Sequence, residues 1–181
     1  MKHIIRDQIK AQLKTLVEKE NSAKMLLKYL QPLLENASTI AVYHATVNEL
    51  NLKDVISYCI SQNKQLYQPV SYKSTRNMQL MKFEVSNTDI FSPEEFVPKN
   101  GSEWYNLDLI LLPLVAVDKN GYRLGKGGGY YDATLANIMQ NSKRPILCGV
   151  GFDCQLIEHI PKNEWDIRLD YFVSDKQLLK F

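Results

Sequence analysis

Apolar positions recur along the chain at two periods, and their alternation predicts the order of elements. Ile5, Ile9, Leu13, Leu16 and Val17 follow one face of a helix and predict an amphipathic helix over residues 2 to 20. Ser22 supplies a cap for a second helix carrying Met25, Leu26, Tyr29 and Leu30, which Pro32 and the Asn36 region interrupt. The short run from Thr39 to Tyr43 is apolar and β-rich, as a buried strand requires. Asn51, with Asp54 three residues on, reads as the cap of a helix holding Val55, Ile56, Cys59 and Ile60.

Leu66 to Val70 and Gln79 to Val85 predict two further strands, and order weakens between residues 86 and 106, where Ser92-Pro93-Glu94-Glu95 suits a helical turn. Leu107 to Val117 is the most apolar run and predicts a central strand, with Pro113 marking its end or a bulge. Asp118-Lys119-Asn120-Gly121 is a turn signal. A helix over Tyr130 to Gln140, a strand over Pro145 to Val150, a short helix over Gln155 to Ile160 and a last strand over Tyr171 to Val173 complete the pattern. Strands alternating with helices predict an α/β fold: an open, mainly parallel sheet with helices on both faces, in three layers and a single domain spanning residues 1–181. In such sheets ligands sit beyond the carboxyl ends of the strands.

Composition narrows the function. A chain of 181 residues with 45% hydrophobic content can build one core of its own. Its net charge of +2 is spread along the chain, which argues against a nucleic-acid surface. Cys59, Cys148 and Cys154 lack the spacing of a zinc or redox motif. The N-terminus is too charged for a signal peptide, and no apolar run nears the roughly 20 residues that cross a bilayer. A cytoplasmic protein is expected, acting without membrane or nucleic acid, as a monomer.

The candidate chemistry lies in residues 120 to 132, NGYRLGKGGGYYD, where Gly121, Gly125, Gly127, Gly128 and Gly129 stand among Arg123, Lys126, Tyr130, Tyr131 and Asp132. Glycines let backbone N–H groups converge on phosphate oxygens, and a following helix start adds its positive dipole end. Arg123 and Lys126 add charge, and Asp132 is placed to hold a metal bridging the phosphates. The plain alternative is a surface turn before an ordinary helix. The pattern is not a P-loop, because Gly127 rather than Ser or Thr follows Lys126, nor a dinucleotide fingerprint, because Tyr130 stands where the third glycine belongs.

The pattern Gly121-x-Arg123-Leu124-Gly125-x-Gly127-x-Gly129-Tyr130-Tyr131-Asp132 resembles the signature of the 5-formyltetrahydrofolate cyclo-ligase family, also called methenyltetrahydrofolate synthetase. The resemblance extends to Leu107 to Leu112 with Pro113, to Lys2 and Arg6, to the Glu49 segment, and to Pro161 through Asp166 to Asp170. Three features depart from the family pattern: Ala133 replaces a common arginine, Trp165 a usual histidine, and no Gly-x-x-Glu-Pro element precedes Trp104.

The resemblance implies an enzyme that uses ATP and magnesium to turn 5-formyltetrahydrofolate into 5,10-methenyltetrahydrofolate, through a formyl group phosphorylated on oxygen and closed by N10. It assigns ATP to Lys2, Arg6 and Arg123 through Tyr131, including Leu124. Arg123 and Lys126 become catalytic. His44, Glu49, Lys126, Gly127, Gly128, Gly129 and Tyr130 take the folate, and Asp132 and Asp170 the magnesium. Spacing alone also fits a solvated helix face for Lys2 and Arg6, local charges for the two aspartates and core packing for the tyrosines. His3 and His159 have no ligand-spaced partner, and Trp104 either stacks on a pterin or anchors a loop. Two other functions compete: a non-catalytic nucleotide-binding module that has lost the folate pocket, and a sugar-phosphate enzyme, which needs a general base that is not evident here.

Overall fold

A computed structural model of the protein describes residues 1–16, 19–71, 77–82, 103–138 and 143–181. Its elements run α1 (Lys2–Thr15), α2 (Lys19–Glu35), β1 (Thr39–Ala41), α3 (Lys53–Ser61), β2 (Gln65–Val70), β3 (Gln79–Lys82), β4 (Leu109–Pro113), β5 (Ala116–Asp118), β6 (Arg123–Leu124), α4 (Tyr130–Ile138), β7 (Ile146–Val150), β8 (Leu156–Ile157), β9 (Tyr171–Val173) and β10 (Leu178–Lys180). Seven strands form one sheet in the order β10-β9-β7-β4-β1-β2-β3. The five central strands are parallel, and the edge strands β3 and β10 run antiparallel. The fold is therefore α/β with a mixed sheet.

Alternate residues of the central strands enter two apolar clusters, as the period of two demands. Ile40, Leu109, Leu111, Cys148 and Val150 pack with residues of α1, α2 and α3. Ala41, Ile110, Leu112 and Leu147 pack with Leu135 and Ile138 of α4 and with Trp104. Trp104 is an anchor rather than a stacking surface. It is buried, and its indole N–H donates to the Met78 carbonyl at 3.3 Å.

Several expected boundaries move for physical reasons. The second helix starts at Lys19 and runs through Pro32 to Glu35. Burying Leu26, Leu30 and Leu34, each worth about 1.5–3 kcal/mol, outweighs the roughly 3 kcal/mol that an interior proline costs. Asn36 Nδ2 then donates to the Pro32 carbonyl at the helix end, and Ser22 Oγ donates to Asp175 instead of capping. Asn51 accepts the Lys53 N–H, but it stands one residue ahead of Leu52, which occupies the N-cap position. The ends of the expected strand 79–85 and helix 130–140, the residue pair 17–18 and the turn at Ser92 lie outside the described residues.

The run 107–117 is two strands, not one. β4 ends at Pro113, which has no N–H to continue the ladder, and β5 joins a separate three-stranded sheet in the order β6-β5-β8. The expected helix over Gln155 to Ile160 is replaced by a single 3₁₀ turn, Asp153–Gln155, followed by β8. Gln155 explains this. It is 1% exposed, donates to the carbonyls of Leu114 and Val115 at 3.0 and 2.9 Å, and accepts the Phe152 N–H at 2.7 Å. Those bonds hold the next residues extended beside β5, where Val117 pairs with Leu156. β10 is an additional strand that the hydrophobic pattern does not separate from β9.

The turn between β5 and β6 is built on Asp118, which is 1% exposed. One carboxylate oxygen accepts the N–H groups of Asn120 and Tyr122, and the other accepts that of Ile160. Gly121, with φ at 84°, takes the left-handed position of this turn.

Gln155→Leu is expected to lower stability by about 2–3 kcal/mol, because two carbonyls and an N–H lose a buried partner. Glu158→Gln, which breaks only the exposed pair with Lys119, is expected to change it by less than about 0.5 kcal/mol. Urea unfolding of both variants checks the contrast.

Candidate active site

The carboxyl ends of β1, β2 and β4 open into a cavity of about 510 Å³, as the expected sheet geometry predicts. Tyr43 and His44 follow β1, Gln68, Pro69 and Ser71 come from the end of β2, and Pro113 and Leu114 from the end of β4. Residues 123 to 132 form the opposite wall and lead into α4. Gly127 and Gly129 have φ values of 106° and 68°, a conformation that a side chain strains. The loop thereby presents backbone at the N-terminus of α4, the arrangement that suits an anion.

Three cations of the cavity are each tied to a carboxylate, two from distant segments and one, Asp132, from the same glycine segment. Lys126 Nζ meets Glu49 Oε1 at 2.8 Å. Glu49 is itself held, because its Oε2 accepts both the N–H and the hydroxyl of Thr46 at 2.8 and 2.9 Å. Lys2 Nζ meets Asp166 Oδ2 at 2.8 Å, and that oxygen also accepts the Asn163 N–H. Arg123 Nη2 meets Asp132 Oδ1 at 2.9 Å, with its guanidinium 5.2 Å from the centre of the Tyr131 ring. Arg6 Nε donates to the Gly125 carbonyl at 2.9 Å, so α1 is fastened directly to the glycine loop.

Arg123 is the unusual member. Its side chain is only 5% exposed, and its buried Nε–H has no acceptor. A donor left in that state costs about 1–3 kcal/mol unless a ligand supplies an oxygen. Burial drives the Tyr43 phenol far above its usual value, and the Glu49 charge adds to the shift. Tyr131 moves the same way, because burial outweighs the opposing Arg123 charge. Both phenols therefore stay neutral, and Tyr43 donates its hydroxyl to the Leu50 carbonyl.

The expected site residues Lys2, Arg6, His44, Glu49 and Arg123 through Asp132 all line this one cavity. Asp170 does not. Arg144 grips both its oxygens at 2.7 and 2.8 Å, and the Leu147 N–H donates to one of them. Asp170 thus anchors β9 to β7, and Asp166, four residues earlier, is the second aspartate of the cavity. Asp166, Asn163, Thr46 and Tyr43 carry no signal of their own by spacing; only the folded chain brings them in. His3 and His159 are exposed and lie outside the lining. Among the described residues no three His, Cys, Asp or Glu side chains converge, so a cation here takes most of its ligands from phosphates and water.

The model of the 5-formyltetrahydrofolate cyclo-ligase family matches residues 1–175. The chain belongs to this family. Curated relatives named 5-formyltetrahydrofolate cyclo-ligase include one from Haemophilus influenzae, 32% identical over 164 residues and covering 86% of each chain, and one from Escherichia coli, 31% identical over 166 residues and covering 88% of each. A solved 5,10-methenyltetrahydrofolate synthetase from Mycoplasma pneumoniae superposes with a TM-score of 0.72 at 25% identity, over 96% of this chain and 98% of that one. The Aquifex aeolicus 5,10-methenyltetrahydrofolate synthetase gives a TM-score of 0.75 at 26% identity, over 99% of this chain and 92% of that one. The chain is thus a ligase-family member over nearly its whole length, and the cyclo-ligase signature coincides with the glycine wall of the cavity.

Two outcomes test this geometry. Gly127→Ala places a side chain at positive φ and is expected to cost about 1–2 kcal/mol in urea unfolding, with a larger loss of anion binding than of stability. For Asp170, burial alone raises the pKa, but the bonds from Arg144 and Leu147 and the charges of Arg144 and Arg168 outweigh it and hold the carboxyl below its usual range. The folded state then binds that proton more weakly than the unfolded chain, so the pair stabilises above the ordinary carboxylate range and its contribution is lost as pH falls through the native value. Asp170→Asn is therefore expected to lower stability at neutral pH and flatten its decline between about pH 5 and 2, read by thermal unfolding across pH; parallel curves refute it.

Proposed function

We propose that the chain is an ATP- and magnesium-dependent 5-formyltetrahydrofolate cyclo-ligase, with residues 1–181 working as one catalytic unit. The observation that carries the reading is a single cavity combining a backbone anion cradle, at Gly125 to Gly129, with Glu49 and an apolar wall of Tyr43, Pro69 and Met78. A module that binds nucleotide alone has no use for the second half of that cavity.

In this reading Lys2, Arg6, Arg123, Lys126 and the N–H groups of the loop from Leu124 to Tyr131 hold the triphosphate. Glu49, with His44 and Tyr130, holds the folate beside it. The formyl oxygen attacks the γ-phosphorus, the bond to the β,γ-bridging oxygen breaks, and ADP leaves. N10 of the folate then attacks the formyl carbon, whose bond to the phosphate oxygen breaks. Phosphate departs, N10 loses its proton, and the methenyl bridge carries the positive charge. Catalysis here is positioning and charge neutralisation, which the chain supplies through fixed donors rather than a covalent nucleophile. The open Nε–H of Arg123 provides a donor for the phosphoryl group in transfer.

Magnesium fits the hard oxygens of Asp132 and Asp166 in the cavity lining. A magnesium ion held there would supply positive charge beside the phosphates. These carboxylates are paired with Arg123 and Lys2, so the same pairs would offer oxygens to the cation and donors to the phosphates. We also propose a monomer in a cytoplasmic compartment, working without nucleic acid or membrane. Cys59, Cys148 and Cys154 are free thiols, and among the described residues no helix is long and apolar enough to cross a membrane.

Incubation with ATP, magnesium and 5-formyltetrahydrofolate is expected to generate the absorbance band of the methenyl product. Well-folded protein that yields no such band refutes the proposal. Lys2→Ala and Arg6→Ala are each expected to raise the KM for ATP by about tenfold or more, the worth of one charge-assisted bond, with the folate KM unchanged.

A further inference from the structure

Trp165 is the bulkiest exposed apolar side chain of the cavity lining, 69% exposed where Trp104 is 3%. An indole left in water needs a reason when the turn that carries it is held in place, and this turn is bonded to its neighbours. The Asp166 N–H donates to the Asn163 carbonyl at 3.1 Å, closing a turn around Trp165. Asp166 Oδ2 accepts the Asn163 N–H at 2.7 Å and Lys2 Nζ at 2.8 Å, which ties the turn to α1. Beyond the turn, Arg168 Nε donates to the Asn120 carbonyl at 2.8 Å, and Arg168 bridges to Tyr122 in the hairpin that carries the glycine loop. The turn that carries the indole is thus tied both to α1 and to the hairpin of the glycine loop.

The flat part of a nucleotide held at the cradle is its base, and aromatic stacking binds bases without demanding a particular hydrogen-bond pattern. We propose that Trp165 is the stacking platform for the purine of the nucleotide whose phosphates occupy the cradle, and so a specificity-determining residue of the nucleotide site. This deepens the ATP reading above and rests on it. The pterin has its own surface: Tyr43, Pro69 and Met78 come from the strand ends together with Glu49, whereas Trp165 is joined through Asp166 to the α1 wall.

The test compares ATP with inorganic tripolyphosphate, which has the charge and no base. In the wild-type protein, ATP is expected to quench the exposed indole's fluorescence and tripolyphosphate to leave it largely unchanged. Trp165→Ala is expected to remove the quench and weaken ATP binding about 5- to 100-fold, with tripolyphosphate affinity and folate KM within about twofold, and Trp165→Phe to restore most of the ATP affinity. A raised folate KM with ATP affinity intact overturns the proposal and gives the indole to the pterin. No change in either assigns Trp165 no ligand and overturns it too. If neither ATP nor tripolyphosphate binds the wild-type protein, the cradle reading fails first, and this proposal falls with it.

Discussion

A buried carboxylate governs the placement of the whole glycine wall. Asp118 spends its two oxygens on three backbone N–H groups, from Asn120, Tyr122 and Ile160. Burying that charge is tolerable only because each oxygen is satisfied. In return the turn, β6 and the segment before Pro161 are locked to β5. Gln155 fastens the same region from the other side by bonding the carbonyls of Leu114 and Val115. The cradle is therefore a flexible type of sequence mounted on a rigid frame, and its glycines supply backbone access rather than mobility.

The cavity is electrostatically closed upon itself. Lys2 and Lys126 each rest on a carboxylate brought from elsewhere in the chain, and Arg123 rests on Asp132 of its own segment. Pairs with one end in solvent, as Lys126 at 61% exposure against a Glu49 side chain at 7%, are partly screened, which limits what they add to stability. Their value is positional: they hold long side chains at fixed places and keep both signs of charge available. Arg123 differs because it is buried and carries an unanswered donor, so its stacking on Tyr131 and its bond to Asp132 leave part of its capacity in reserve.

Much of this was legible before folding, and the exceptions have physical causes. The glycine wall, Lys2, Arg6 and Glu49, which the fold brings to one cavity, were singled out by clustered glycine and the family pattern, which are local features. The choice between Asp166 and Asp170 was not local. Both sit in one acidic segment, and only the third dimension decides between them, since Arg144 captures one and Lys2 reaches the other. The split of residues 107–117 into two sheets was half legible, because Pro113 marks the break but nothing in the run announces β5's separate partners. Pro32 misleads for the opposite reason: a local breaker loses to the burial of the leucines around it.

The order of the strands has a consequence for how the chain reaches this state. β1 lies between β2 and β4, so Ile40 must wait for Leu109, and Leu109 in turn for Ile146. Loop-closure entropy is spent on each of these distant pairings before the central sheet returns it. On a ribosome the first strand therefore emerges with one edge unmatched while the nascent polypeptide lengthens by more than a third of its final extent, and α2 and α3, which bury Leu26, Leu30, Val55 and Ile56 with it, are the local shelter for that strand until its parallel neighbour arrives.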